Sequence, residues 1–412
     1  MICGSRRSDV LVQLEEFVRM AGSYARDRNH VKPGHPSVSR LGPAIRHRLI
    51  TEDEVVAAVL QAHPFGRVEK FVQEVYWRRY WKSWLALRPE VWSDFLAAAV
   101  EDDPRVARIA LGESGNAVID HFANELVTTG YLHNHARMWF AAWWVHQARL
   151  PWQSGAAFFF RHLLDGDPAS NTLSWRWVAG LQTPGKTYLA RRNNLEKYLA
   201  PELLEELAAG LAGFEHPQAH APTAVARPPV SGRGHALESL DPALATGLWV
   251  HEEDLSLENS PFGGQPFAAI IATADSHTWD GCGFPPTKRQ WLAEALDDAA
   301  ARAGHHWQAP TEIELTQPAA EALVRWANAR QLGQIAAMRP ETGPLNDSLP
   351  SLRAALAEAG IRLVFCERPE DLRVRPFATG GFFQFWDRVR KTLVAPSSGK
   401  GSSGSQQLTL EF

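Results

Sequence analysis

A mainly helical first half joined to an α/β second half is the fold class this sequence predicts. Three observations predict it. Apolar residues recur at helical spacing through residues 8–213, composition turns Pro- and His-rich at 216–235, and short buried-strand runs alternate with helical segments after that. A chain of 412 residues can bury two or three separate cores.

The helical pattern covers 9–25, 52–62, 68–87, 90–100, 117–128, 134–148 and 156–164. Pro and Gly punctuate it at Pro33-Gly34, Pro64, Gly66, Pro89, Gly112, Gly115, Gly130 and Pro151. His216-Pro217, Pro222, Pro228-Pro229 and Gly232-Arg233-Gly234 read as an extended linker. Beyond it, Leu248-Trp249-Val250, Ala268 to Ile271, Gly333 to Ala337 and Leu363 to Cys366 read as strands, with helices over 288–303, 318–331 and 348–359. Such alternation predicts a mostly parallel sheet. The organisation expected is a helical domain over 1–213, a linker over 214–238, an α/β domain over 239–393 and a Gly/Ser-rich flexible tail over 394–412.

Composition narrows the function classes. Net charge is −4, but residues 1–200 hold 25 Lys+Arg against 20 Asp+Glu, so the front half is mildly basic and suits phosphates. No apolar run is long enough to span a bilayer, and Met1 to Arg7 lacks the apolar core of a signal peptide. A cytoplasmic monomer is expected. Three scattered cysteines argue against a disulfide framework, and no metal site is expected. The unusual count is Trp: 16 residues, ten of them between Trp77 and Trp177, which implies a dense aromatic core or an electron-hopping path.

The chemistry is concentrated in five segments. Tyr24 is followed by Ser37-Val38-Ser39-Arg40-Leu41, whose hydroxyls, backbone N–H groups and guanidinium suit phosphate oxygens. Phe71-Val72-Gln73-Glu74-Val75-Tyr76-Trp77-Arg78 puts Glu74, Trp77 and Arg78 within about a turn of each other on a helix. Then come Thr129-Gly130-Tyr131-Leu132-His133-Asn134-His135-Ala136-Arg137-Met138, Asp165-Gly166-Asp167-Pro168-Ala169-Ser170-Asn171, and Trp175-Arg176-Trp177.

In order and spacing these segments resemble the FAD-binding domain of the DNA photolyase/cryptochrome superfamily, and most closely its cyclobutane pyrimidine dimer photolyases. The resemblance covers nearly all of residues 8–200. It implies FAD as cofactor, with the 37–41 loop on the diphosphate and Tyr24, Phe71, Glu74, Arg78, Tyr131 and Asn134 around it. It implies Asp165 and Asp167 along the ring edge and ribityl chain, Arg137 paired with Asp165, and Asn171 facing flavin N5. Glu74 would hydrogen-bond the damaged base pair, while Trp77, Met138 and Trp177 form the substrate wall. Met138 stands where the (6-4) type has His. Trp175 and Trp152 match the first two members of the family's photoreducing Trp chain, and Ala99 stands where the third is expected. The loop departs from the family's Thr-Ser-Arg-Leu-Ser at Val38 and Gly42, which removes two hydroxyl contacts. Because every such motif lies in 1–213, that segment is expected to hold FAD by itself.

The function implied is light-driven repair of UV-damaged DNA by electron transfer from reduced flavin, and the alternative is a cryptochrome-like photoreceptor without repair. Leu248 to Leu257 and Pro376 to Trp386 faintly resemble the opening and closing stretches of the family's antenna domain, here after the FAD domain instead of before it; the sequence identifies no antenna chromophore. Gly180 to Thr187 formally matches a P-loop, but no buried strand precedes it. The terminal Gln407-Leu408-Thr409-Leu410-Glu411-Phe412 resembles peptides that dock on the bacterial sliding clamp, with Gln407 at a pocket rim and Leu408, Leu410 and Phe412 in apolar pockets.

Overall fold

The computed structural model describes residues 3–98, 103–183, 187–220, 228–232 and 238–394. The longer helices are α1 (Arg7–Met20), α2 (Glu52–Ala62), α3 (Phe65–Ala86), α4 (Glu90–Ala97), α5 (Ala117–Thr129), α6 (Asn134–Ala142), α7 (Trp152–His162) and α8 (Pro168–Val178), then α9 (Pro286–Trp307), α10 (Ala319–Ala329), α11 (Pro344–Glu358) and α12 (Phe382–Val394). Five strands, β1 (Thr246–Val250), β2 (Ala269–Thr273), β3 (Thr311–Glu314), β4 (Gln334–Met338) and β5 (Arg362–Cys366), form one parallel sheet in the order β3-β2-β1-β4-β5. A helical region followed by an α/β region is the expected fold class.

Local chemistry sets the helix ends. Thr51 and Glu54 form a reciprocal cap at the start of α2: Thr51 Oγ1 accepts from Glu54 N–H, and Glu54 Oε2 accepts from Thr51 N–H at 2.8 Å. Asn116 caps α5 by accepting from Val118 and Ile119 N–H. The same helix stops at Gly130, whose φ of +68° is left-handed and whose added Cβ would lie 2.6 Å from Leu164 Cγ. This glycine turns the chain into the Tyr131–Met138 segment that the site needs.

Three expectations change. The helix expected over 9–25 breaks after Met20 into a turn, Ala21–Ser23, and a short helix, Tyr24–Asp27. Gly22 lies there, and the Arg67 side chain occupies the space its Cβ would need. The helix expected over 134–148 ends at Ala142 in a widened turn, Trp143–Gln147, that sets Trp144 and His146 inward. Strand β3 went unseen because it is an edge strand of sequence Thr-Glu-Ile-Glu with both middle residues exposed. The described part of the linker is no free tether either. Ser231 and Gly232 N–H donate to Leu87 O at 3.1 and 3.0 Å, and Arg88 Nε donates to Pro228 O at 3.1 Å. Residues 221–227, 233–237 and 395–412 lie outside the described residues.

Side chains alternate across the sheet with period two. Leu248, Val250, Ile270, Ala272 and Ala336 face the core that also runs through the helical region. Trp249, Ile271, Ile335, Ala337 and Phe365 face a second core under α10 and α11. The first core therefore spans both halves of the chain.

The carboxyl end of β1 meets the helical region through buried charges. Asp254 accepts from Arg368 at 2.7 and 2.8 Å and from Arg48 at 3.2 Å. Arg48 also donates to Asp371. Arg79 of α3 donates to both oxygens of Asp53 at 3.0 and 2.8 Å and lies 3.3 Å from Asp371. Burial alone would raise Asp254 and Asp371, but the neighbouring guanidiniums outweigh it and hold both carboxyls down. Removing one partner of such a network leaves an uncompensated buried charge. Asp254→Ala is expected to cost about 3–5 kcal/mol of stability, read as a lower urea midpoint; an unchanged midpoint would show that the network contributes nothing net.

Candidate active site

A cavity of about 960 Å³ lies in the helical region, walled by α3, α6, α8, the Tyr24–Asp27 helix and the 38–42 loop. That is within the range of small-molecule and cofactor sites. Helix α3 contributes Phe71, Glu74, Trp77 and Arg78 to one side, because positions three and four apart share a helix face. The segment after Gly130 contributes Tyr131, Asn134, Arg137 and Met138. Asp165 and Asn171 come from the turn into α8 and its first turn, and Trp175 and Trp177 from further along that helix.

Charge organises the wall. Four guanidiniums, Arg28, Arg40, Arg78 and Arg137, face two carboxylates, Glu74 and Asp165. Asp165 accepts from Arg78 at 2.8 Å and from Arg137 at 2.9 and 3.2 Å. Burial would raise its carboxyl, but Arg137 and then Arg78 hold it well below the ordinary carboxylate range. Arg137 is itself fixed by donating Nε–H to Leu132 O at 2.7 Å. Burial keeps the Tyr24 and Tyr131 phenols protonated and pulls His133 down to about 3, so that ring is neutral. Arg40 has a left-handed backbone, φ +57°, uncommon without glycine and often found where a ligand site constrains a loop.

The wall fits a ligand that is part anionic, part flat and part polar. Arg40 Nε, Ser170 Oγ and Gln182 Oε1 are buried atoms of wall residues with no hydrogen-bond partner among the described residues. Asn171 Nδ2 donates to Ala156 O at 2.8 Å, which leaves its Oδ1 as the acceptor for a ligand. Excess positive charge suits a diphosphate, and the aromatic sides suit a ring system. These features are those FAD requires.

Most residues picked out in the sequence share this wall: Tyr24, Ser39, Arg40, Phe71, Glu74, Trp77, Arg78, Tyr131, Asn134, Arg137, Met138, Asp165, Asn171, Trp175 and Trp177. Four do not. Ser37 and Leu41 are buried outside the wall. Asp167 turns away: its Oδ1 caps α8 by accepting from Ala169 and Ser170 N–H at 2.7 and 2.9 Å, and its Oδ2 lies 3.8 Å from Arg46 Nε and 3.7 Å from Lys82 Nζ. It is a helix cap and interface charge rather than a cavity contact. Trp152 sits behind the wall beside Phe95, centroids 5.8 Å apart, and near Arg176. Trp175 instead meets Trp144 and Phe159, at 6.1 and 5.0 Å, and makes no ring contact with Trp152. Gln407, Leu408, Leu410 and Phe412 lie outside the described residues.

The two groups expected to meet a substrate, Glu74 and Trp77, are already engaged. Glu74 pairs with Arg28 at 3.0 Å and Lys70 at 3.4 Å. Trp77 stacks on Phe382, centroids 3.7 Å apart and planes 10° apart. Phe382 belongs to α12, and Gly381, Phe382, Phe383 and Gln384 all line the cavity. Residues 1–213 therefore do not build the wall alone. Sequence reasoning missed this contribution, although the aromatic run Phe382 to Trp386 was its signal.

Residues 71–198 match the family model described as the FAD binding domain of DNA photolyase. The deoxyribodipyrimidine photo-lyase of Streptomyces griseus is 30% identical over 185 residues, 41% of this chain and 40% of that one. A cryptochrome DASH of Idiomarina loihiensis is 28% identical over 210 residues, 47% of this chain and 46% of that one. Among solved structures, a bacterial class III photolyase from Agrobacterium tumefaciens is 25% identical, with a TM-score of 0.42, covering 49% of this chain and 44% of that one. The chain spans less than half the length of these curated relatives.

Asp165 gives a pH-dependent test. Its folded value is depressed, so its stabilising effect is present above the ordinary value of 3.8 and is lost as pH falls below that toward the folded value. Asp165→Asn is expected to lower stability at neutral pH and to flatten the acid limb of the unfolding profile. Superimposable acid limbs for variant and wild type would contradict the assignment.

Proposed function

We propose that this chain, whose helical region is that of the photolyase/cryptochrome superfamily, holds FAD in this cavity and repairs cyclobutane pyrimidine dimers in UV-damaged DNA using light. One observation carries the reading: a single cavity joins the guanidinium-held Asp165 to a wall of Glu74, Trp77, Met138 and Trp177. Bound FAD, reduced and excited by light, supplies one-electron transfer to the dimer. The residues of the chain do the rest. Arg78 and Arg137 keep Asp165 ionised, and on the cavity wall they would lend positive charge to an anionic reduced cofactor. Trp77 and Trp177 offer aromatic surface to a dimer drawn out of the helix, an extrusion that costs a few kcal/mol and least for damaged bases. Glu74 exchanges its Arg28 partner for a hydrogen bond to the substrate. Trp175, one of the oxidisable side chains on the wall, would pass an electron to bound FAD, with Trp144, its ring neighbour at 6.1 Å, and Trp152 as candidates for the next step outward.

A second reading is a blue-light photoreceptor without repair. The Glu74–Arg28 pair and the Phe382 cover on Trp77 favour it, since both substrate-side groups are occupied. Purified full-length protein separates the two. Flavin absorption with light-dependent loss of dimers from irradiated DNA supports repair, and flavin without dimer loss supports photoreception. Under the repair reading, Glu74→Ala lowers repair yield roughly tenfold while flavin stays bound, the size of one hydrogen bond to a charged group.

The α/β region reads as a relocated antenna-type domain. In parallel sheets, ligands sit beyond the strand ends where strand order reverses, here between β1 and β4. The crevice near those ends, lined by Lys82, Asp167, Glu253 and Glu341, leaves no water-sized space in this structure. No helix among the described residues is long and apolar enough to cross a membrane. Docking of Gln407 to Phe412 on a sliding clamp remains part of the proposal. A peptide of residues 397–412 should bind the clamp weakly, and Gln407→Ala with Leu410→Ala should abolish that binding.

A further inference from the structure

The turn Asp165-Gly166-Asp167 has a front and a back. Asp165 faces the cavity, held by Arg78 and Arg137. The back is packed without slack: a Cβ on Gly166 would lie 2.9 Å from Phe160 O, 3.0 Å from Leu163 O and 3.1 Å from Lys288 Nζ. Two of the groups that hold this back come from the α/β region. Glu253, just past β1, grips both terminal nitrogens of Arg46 at 2.6 Å each. Arg46 Nε then faces Gly166 O at 3.4 Å and Asp167 Oδ2 at 3.8 Å. Lys288, in the first turn of α9, donates to Phe160 O at 2.7 Å, with its ammonium 3.7 Å from the Phe284 ring centroid. Arg46, Glu253 and Lys288 are all buried.

We propose that the α/β region completes the cofactor site from behind, with Glu253, acting through Arg46, and Lys288 as positioning residues for the Asp165-Gly166-Asp167 turn. The proposal rests on the FAD reading and does not depend on repair. Its physical basis is the Gly166 peptide. A glycine between two carboxylates has wide backbone freedom, and here its carbonyl, its side-chain space and the neighbouring Asp167 are each met by a buried cation. Two of those cations, Arg46 and Lys288, are supplied or held by elements outside residues 1–213. Removing either hold lets the turn relax, so Asp165 no longer stands where Arg78 and Arg137 fix it. Lys288 adds a second effect. Its charge lies directly behind the turn, facing Arg46, Glu252, Cys282 and Asp165, and so favours an anionic cofactor on the other side.

The test uses the full chain and three variants: Glu253→Gln, Lys288→Met, and the pair Arg46→Met with Glu253→Met. The paired change removes both buried charges together, which proteins often tolerate, so it is informative if Glu253→Gln fails to fold. FAD dissociation constants are read by fluorescence titration of the apoprotein. Flavin midpoint potentials are read about one pH unit below the Lys288 value of about 7. Each variant is expected to bind FAD roughly tenfold or more weakly, the size of one lost charged hydrogen bond. Lys288→Met is also expected to shift the potential to more negative values, which a purely structural role would not do. Wild-type affinity and potential in both Lys288→Met and the paired variant would overturn the proposal alone. A wild-type chain that takes up no FAD would overturn the cofactor reading and the proposal with it.

Discussion

The two halves of this chain are joined by charges that are almost wholly buried. At the carboxyl end of β1, Asp254 is shared by Arg48 and Arg368, and Arg48 and Arg79 converge on Asp371. Each carboxylate is buried, so each needs its guanidiniums, and each guanidinium needs its carboxylates. The geometry has few alternatives, because planar guanidiniums pair with carboxylates in fixed orientations. This constraint sets the sheet against α3, and α3 carries Glu74, Trp77 and Arg78 into the cavity. The docking of the α/β region is thus coupled to the shape of the site.

A second, apolar contact reinforces the first. Trp77, Phe382, Trp386 and Phe65 stack in a near-parallel column between α3 and α12, with centroid steps of 3.7, 6.3 and 6.4 Å. The segment before α12 is latched to α3 by Tyr80 Oη, which donates to Gly380 O at 2.8 Å, and to the turn just after α3 by Arg88, which donates to Thr379 O at 2.9 Å. The exposed Phe383 stands at the cavity beside the buried Phe382. The cavity wall, built mostly by the first half, is therefore completed by the last helix.

Much of this was legible in order along the chain. Helix α2 falls over residues 52–62 as its periodicity predicts, because Thr51 and Glu54 cap it locally. The strands near 248, 270, 335 and 363 were legible because fully buried parallel strands read as apolar runs. Edge strand β3 was not, since an exposed edge carries polar residues. The cavity residues were legible as spaced polar and aromatic motifs, but Asp167 shows the limit of motif reading. It lies two positions from Asp165 in the chain, and a helix start turns it to the opposite side.

The resemblance of spaced motifs to a known family picked out many of the cavity's side chains, though not those of α12, and the sequence by itself determined the helical and α/β regions and the parallel sheet. Those follow from periodicity, caps and residue type, which act over a few positions. Tertiary structure decided what meets what. It paired Glu74 with Arg28, covered Trp77 with Phe382, sent Asp167 to Arg46 and Lys82, and placed Glu253 and Lys288 behind Gly166. Apart from Glu74 with Arg28, these contacts join residues roughly 80 to 300 positions apart. Local propensity does not encode such pairings; burial of charge and close packing between the two regions select them.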